Sequence, residues 1–256
     1  MTSQAITLWL CAIISLSACA QGSSTERASE RSAAVKTPTA EAPAVEPQAS
    51  RAQSQRKAPR WLFVGDSLTA GFGLSPEESY VAVLERSLKA KGHVLSLRNA
   101  GVSGDTSAGV KRRLPWLLKR PPEVMFLCIG ANDGMRGQPT EALAQNLKDI
   151  VSSAREAGVK RVILMGMRLP PNYGEAYVKR FEAVYPAVAH ELGVPLMPFL
   201  LEGVGGEPSL NLSDGIHPNK AGHERVASGV ERFLTEQRLL AELLGGTLES
   251  SAYEPR

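Results

Sequence analysis

The chain has 256 residues, 43% of them hydrophobic and 21% charged, which suits one sizeable domain plus an appendage. The net charge of +3 is carried before Trp61, where Arg27, Arg31, Lys36, Arg51, Arg56, Lys57 and Arg60 face only Glu26, Glu30, Glu41 and Glu46. The remainder is close to neutral and carries no nucleic-acid footprint.

The first stretch, MTSQAITLWLCAIISLSAC, reads as an export signal. Its apolar run, Ala5 to Leu16, is short for a bilayer span and ends in small residues. The segment before that run has no Lys or Arg, a departure from the usual signal pattern. Leu16-Ser17-Ala18-Cys19 resembles the bacterial lipoprotein box, in which the cysteine becomes the lipidated first residue. That assigns residues 1–18 to a signal and Cys19 to a membrane-anchoring lipid; an ordinary secretory signal cut nearby is the alternative. The chain then belongs on the periplasmic side of a bacterial membrane, the outer membrane favoured. Cys11 leaves with the signal, and Cys128, inside an apolar run, reads as a core residue, so no disulfide is expected.

From Ala20 to Ala58 there is no aromatic residue and no Ile, Leu or Met. Such a segment cannot bury apolar surface and reads as a disordered tether over residues 19–59, its ends about 35 Å apart as a coil. A domain follows over residues 60–245, and residues 246–256 read as a flexible tail. Apolar runs recur at Trp61–Val64, Val94–Leu97, Val124–Ile129, Val162–Met165 and Val194–Met197, each expected to form a strand. Helical patterns lie between them. Ser75-Pro76-Glu77-Glu78 is a capping box with Pro at the first helical position, and Val81, Leu84 and Leu88 follow on one face up to Gly92. Val110, Leu114 and Leu117 mark a second helix that Pro115 should kink. Leu143, Leu147, Ile150 and Ala154 mark a third, ending at Gly158, and a fourth runs from about Glu175 to Leu192. The last begins after His217 and carries Val226, Val230 and Phe233. Continuous apolar strands alternating with helices predict an α/β fold, a parallel sheet covered on both faces.

In such sheets, sites form beyond the carboxyl ends of the strands. The residues found there are Gly65-Asp66-Ser67, Gly101 to Gly104, Gly130-Ala131-Asn132-Asp133 and Asp214-Gly215-Ile216-His217. A serine, a conformationally free glycine, a side-chain amide and an Asp-x-x-His pair supply a nucleophile, oxyanion donors and an oriented base for acyl transfer. Among four histidines only His217 has an Asp three residues earlier and a Pro directly after; Pro218 suits the first helical position, which leaves His217 extended. Ser67 does not lie in a Gly-x-Ser-x-Gly elbow, Pro76 replaces the third glycine of a dinucleotide loop, and the histidines lack metal-ligand spacing.

Together the four blocks resemble those of the SGNH, or GDSL, hydrolase family. Met167 to Gly174 (MRLPPNYG) and Gly215 to His223 (GIHPNKAGH) are similar to its TesA-type branch of thioesterases, lysophospholipases and arylesterases. The resemblance implies a flavodoxin-like three-layer α/β/α sandwich with a five-stranded parallel sheet. It implies a serine esterase or thioesterase that needs no metal or organic cofactor. Ser67 is the expected nucleophile, His217 the base and Asp214 its orienting partner. The oxyanion hole is expected from Ser67, Gly104 and Asn132, with Asp66 and Asp133 bracing the loops. The expected partners are a small acyl ester or thioester and, through the lipid, a membrane. Alternatives are an O-acetyl esterase of cell-wall or exported glycans and a non-catalytic binding lipoprotein. The acyl groove is expected between residues 169–177 and 202–212.

Overall fold

The computed structural model describes residues 58–244. The signal, Cys19, most of the tether and the tail therefore lie outside the described residues. Five parallel strands form one sheet in the order β2-β1-β3-β4-β5. They are β1 (Arg60–Gly65), β2 (Ser96–Gly101), β3 (Val124–Cys128), β4 (Arg161–Met165) and β5 (Leu196–Met197). This is the flavodoxin-like order. The central strands β1 and β3 are buried almost throughout, as their unbroken apolar runs demand. Phe63 stacks on Phe126 across them, ring centroids 4.2 Å apart.

The expectation for β2 is corrected. The apolar run Val94–Leu97 starts two residues before the strand, and Val94 is 74% exposed. As an edge strand β2 pairs with β1 alone, so polar Ser96, Arg98 and Asn99 can occupy it. The fifth strand is also shorter than its apolar run, because only Leu196 and Met197 pair with β4.

The helices are α1 (Ser67–Ala70), α2 (Tyr80–Ala90), α3 (Ser107–Leu117), α4 (Ala131–Met135), α5 (Thr140–Glu156), α6 (Glu175–Leu192), α7 (Lys220–Glu236) and α8 (Leu239–Leu243). The capping box at Ser75 and Glu78 forms, but it opens a single 3-10 turn, and Ser79 caps α2 afresh. Pro115 lies inside α3, near its end. Pro218 is not the first helical residue. It pairs with Asn211 in an isolated antiparallel bridge, and Asn219 caps α7 through the Gly222 N–H at 3.0 Å. An asparagine side chain can accept that orphan N–H, which proline cannot do. On α7 Val226 and Val230 are buried as expected, and Leu234 takes the buried place expected of Phe233, which is half-buried.

Candidate active site

The first strand end is a tight corner. A Cβ on Gly65 would fall 2.1 Å from Thr69 Oγ1 and 2.6 Å from the Cys128 carbonyl oxygen, so only glycine lets β1 turn here. Asp66 follows, fully buried, and its Oδ1 accepts from the Leu68 N–H at 3.0 Å, capping α1. Ser67 is the first residue of that helix, half-buried, with no protein acceptor for its N–H among the described residues. Arg113 pins the corner from below: its guanidinium donates to the carbonyls of Gly65 (3.0 Å) and Ala100 (2.8 Å) and to Asp105 (2.7 Å). Arg113 was indistinguishable in sequence from its neighbours Lys111 and Arg112.

The histidine arrives from far along the sheet. β5 lies three strands from β1, and the segment Pro198 to Asn219 returns across the carboxyl edge before α7 begins. Backbone bonds from Leu212 to His217 (2.7 Å) and from Asn219 to Leu210 (2.9 Å) close this segment into a hairpin-like turn. Within it, Asp214 Oδ1 accepts from the N–H groups of Ile216 (2.9 Å) and His217 (3.0 Å). Asp214 Oδ2 lies 2.7 Å from His217 Nδ1, and His217 Nε2 lies 2.9 Å from Ser67 Oγ. Partial burial opposes ionisation of Asp214, but the two N–H groups and the imidazole outweigh it and hold its pKa down at about 2. An ionised carboxylate only accepts, so Nδ1 must donate to it. That leaves the Nε2 lone pair aimed at the serine hydroxyl, the arrangement a general base needs.

The oxyanion candidates follow the two strands that flank β1. Gly104 follows β2 with φ +78, a conformation that favours glycine, and its carbonyl accepts from Arg136 at 3.0 Å. Its N–H has no protein acceptor among the described residues. Asn132 is the second residue of α4, the helix after β3, the strand next to β1, and its side-chain amide likewise has no protein partner among the described residues. Asp133, buried, does not face the serine hydroxyl. It accepts from the Ser107 N–H (2.8 Å) and hydroxyl (2.5 Å), tying the third block to α3.

Asp66 contrasts with Asp214. Burial raises its pKa to about 6, against the Leu68 N–H and His217, and its Oδ2 has no partner. His223, on α7, is a core residue: it accepts from the Tyr80 N–H at 3.0 Å, and burial lowers its pKa to about 4, so it stays neutral.

One feature of the rim was not singled out from sequence. Phe72 is 47% exposed, and its ring lies 4.5 Å from that of His217. Exposed Ile216 precedes the histidine, and exposed Val102 is bonded to the Gly65 carbonyl. The Phe72 ring thus borders the imidazole, and exposed Val102 and Ile216 lie on the segments that flank the Ser67–His217 pair at the same sheet edge. The loops expected to flank a groove lie to either side. Leu169 packs under Gly134, just past Asn132, and Leu212 lies against Gly73 and bonds to His217. A cavity of about 300 Å³ sits elsewhere, behind α1, lined by Ala70, Val81, Leu97 and Asn99. Among the described residues no three His, Cys, Asp or Glu side chains gather as a metal site requires.

A serine, imidazole and carboxylate in series at the carboxyl edge of a flavodoxin-like sheet define a serine-hydrolase type of site. Residues 63–225 match the model of the GDSL-like Lipase/Acylhydrolase family, and the chain belongs to that family. It is similar to Esterase TesA of Pseudomonas aeruginosa, 44% identical over 177 residues, 69% of this chain and 88% of that protein. Thioesterase 1/protease 1/lysophospholipase L1 of Escherichia coli is 38% identical over 174 residues, 68% of this chain and 82% of the relative. Of solved structures, a crystal structure of TesA matches with a TM-score of 0.66 at 42% identity, covering 69% of this chain and 98% of that one. The psychrotrophic esterase EstA from Pseudoalteromonas, inhibited by monoethylphosphonate, gives 0.67 at 32% identity, covering 70% and 97%.

Proposed function

We propose that this GDSL-family esterase cleaves carboxylic esters and thioesters of apolar acyl groups through an acyl-enzyme on Ser67. The observation that carries the reading is the unbroken series from Asp214 through His217 to Ser67, at 2.7 Å and 2.9 Å. In the first half-reaction Ser67 Oγ attacks the acyl carbonyl carbon while its proton passes to His217 Nε2. The tetrahedral oxygen receives the N–H groups of Ser67 and Gly104 and the amide of Asn132. The bond to the alcohol or thiol leaving group breaks, and His217 returns the proton to it. In the second half-reaction a water, deprotonated by His217, attacks the acyl carbon and restores Ser67. Asp66 and Asp133 hold the loops and touch no reacting atom.

The apolar rim of Phe72, Val102 and Ile216 favours acyl or aryl groups over sugars, because a carbohydrate would leave that surface in contact with water. The names of the relatives, esterase, arylesterase and thioesterase, point the same way. Initial rates on aryl esters, acyl-CoAs, lysophospholipids and acetylated sugars test the reading. Turnover of the acetylated sugars alone would overturn the substrate class. The signal-like segment and Cys19 further support an exported, lipid-anchored enzyme. Mass spectrometry of the mature N-terminus checks this: diacylglyceryl on Cys19 is expected, and an unmodified N-terminus elsewhere contradicts it.

A further inference from the structure

Five large apolar side chains are exposed among the described residues: Phe72, Val94, Val102, Trp116 and Ile216. Phe72, Val102 and Ile216 lie at the carboxyl edge of the sheet, on the segments that carry or flank Ser67 and His217. Val94 and Trp116 do not, and they lie at the opposite, amino edge of the sheet, in a distinctive electrostatic setting.

Trp116 is 60% exposed near the end of α3, and the Arg98 guanidinium lies over its ring, 5.3 Å from the centroid. Arg112 sits one turn earlier on the same helix, and Lys119 and Arg120 follow in the turn to β3. All four cations are exposed, and none has an ion-pair partner among the described residues. The nearby carboxylates are already engaged. Asp105 pairs with Arg113, Asp149 with Lys111, Glu123 with Arg60 and Glu85 with Lys89. The segment from Ser107 to Pro122 contains no acidic residue at all. Among the described residues the corner therefore carries four uncompensated positive charges around an exposed indole.

One reading is that the charges merely protect the free edge of β2 from pairing with another chain. Charges alone would suffice for that. An exposed Trp116 stacked under Arg98, with Val94 also exposed just before β2, works against it, because both add apolar surface to the edge. An indole amid arginines and lysines instead matches the boundary between anionic headgroups and acyl chains.

We propose that this corner, formed by Val94, Arg98, Arg112, Trp116, Lys119 and Arg120, docks on an anionic phospholipid surface. The cations meet headgroup phosphates, and the Trp116 ring enters the interfacial layer with its N–H toward water. The entry of the chain into the domain lies at the same corner. The Arg60 guanidinium donates to the Pro121 carbonyl at 2.6 Å, and the Ser96 N–H to the Pro59 carbonyl at 3.0 Å. Docking here leaves the carboxyl edge, with Ser67 and His217, turned toward water.

The test uses the full chain with vesicles of brominated phosphatidylglycerol or brominated phosphatidylcholine. The Trp116 signal is read as the difference between the chain and its Trp116→Phe variant; of the other tryptophans, Trp61 is fully buried. This readout does not depend on a lipid anchor, which would hold the chain at either vesicle without bringing the indole into the bilayer. Quenching of the Trp116 emission is expected on phosphatidylglycerol and not on phosphatidylcholine. It should fade as salt is raised past physiological strength, where the Debye length falls below about 8 Å. Replacing Arg98, Arg112, Lys119 and Arg120 together with Gln should weaken the quenching at least about tenfold. Hydrolysis of a soluble aryl ester should be unchanged, which shows the variant is folded. Equal quenching on both lipids, or none on phosphatidylglycerol, overturns the proposal. A Trp116 response to polyglutamate without a response to vesicles also overturns it and assigns the corner to an acidic protein.

Discussion

Two carboxylates serve the same serine and histidine, and they live in opposite settings. Asp66 is fully buried at the β1–α1 corner, with one oxygen capping a helix and the other unpartnered; its pKa is raised to about 6. Asp214 stands on an exposed loop, with one oxygen accepting two backbone N–H groups and the other facing the imidazole; its pKa is held down at about 2. Ser67 is thus fixed by the core, and His217 by local hydrogen bonds at the surface. The difference separates what each region should lose when it is disturbed. Changes in the Asp214 loop should cost rate and spare the fold. Changes at the Asp66 corner should move stability.

The largest effect should come from the groups that the two regions bring together. Ser67→Ala and His217→Ala should each lower kcat by roughly 10⁴-fold or more with a melting temperature close to that of the parent. Steady-state kinetics on an aryl ester and a thermal melt check this. Near-parental turnover in either variant removes that residue from the reaction.

Asp214→Asn should come next, at up to about 10⁴-fold in kcat. The amide oxygen can still accept from Ile216 and His217, but its NH₂ would face Nδ1. That forces Nδ1 to accept and puts the proton on Nε2, the wrong tautomer for taking one from Ser67. The stability effect has its own window. A folded pKa of about 2 against an ordinary 3.8 means the ionised loop stabilises the fold above about pH 4, a contribution lost as pH falls toward 2. The parent should show that loss in melts across this range, and Asp214→Asn should not.

Asn132→Ala should lower kcat by about 10²–10³-fold and leave KM nearly unchanged, since the amide meets full negative charge only in the transition state. Asn132→Asp should be slower still, because a carboxylate repels the oxyanion. A loss of melting temperature with kcat preserved would make Asn132 a turn residue only.

Asp66→Asn should have the smallest effect on rate. A folded pKa of about 6 against 3.8 means the folded state holds the extra proton, so Asp66 lowers stability as pH rises from about 4 to about 6, by about 3 kcal/mol in total. The asparagine keeps the α1 cap and cannot ionise. Its stability relative to the parent should therefore fall steadily as pH is lowered from about 6 to about 4. An amide placed at the unpartnered oxygen adds a pH-independent cost, so the slope is the diagnostic. A difference that stays flat across this window would mean that burial does not perturb Asp66.

The contrast between core and surface also explains what could be read from the sequence. The buried strands β1, β3 and β4 were legible because parallel central strands must be apolar on both faces. The convergence of the candidate residues Ser67, Asp214 and His217 was legible as well, because each of their blocks sits beyond a strand or before a helix with recognisable local chemistry. The edge strand β2 was misplaced by two residues, since a strand with one partner is fixed by its register with β1 and not by an apolar run. The role of Pro218 was misread because its bridge to Asn211 depends on a segment that crosses the sheet edge. Arg113 and Phe72 gave no signal at all. An arginine that pins two carbonyls looks like any other until the strands are side by side, and a phenylalanine against the histidine looks like core.

The most direct test of the account is covalent labelling of the full chain with a fluorophosphonate, followed by peptide mass spectrometry. Phosphorus should attach to Ser67 Oγ with fluoride leaving, in step with the loss of esterase activity, and Ser67→Ala should take no label. Activity that survives saturating probe, or an inactivating adduct on another residue, would contradict the assignment of Ser67 as the nucleophile.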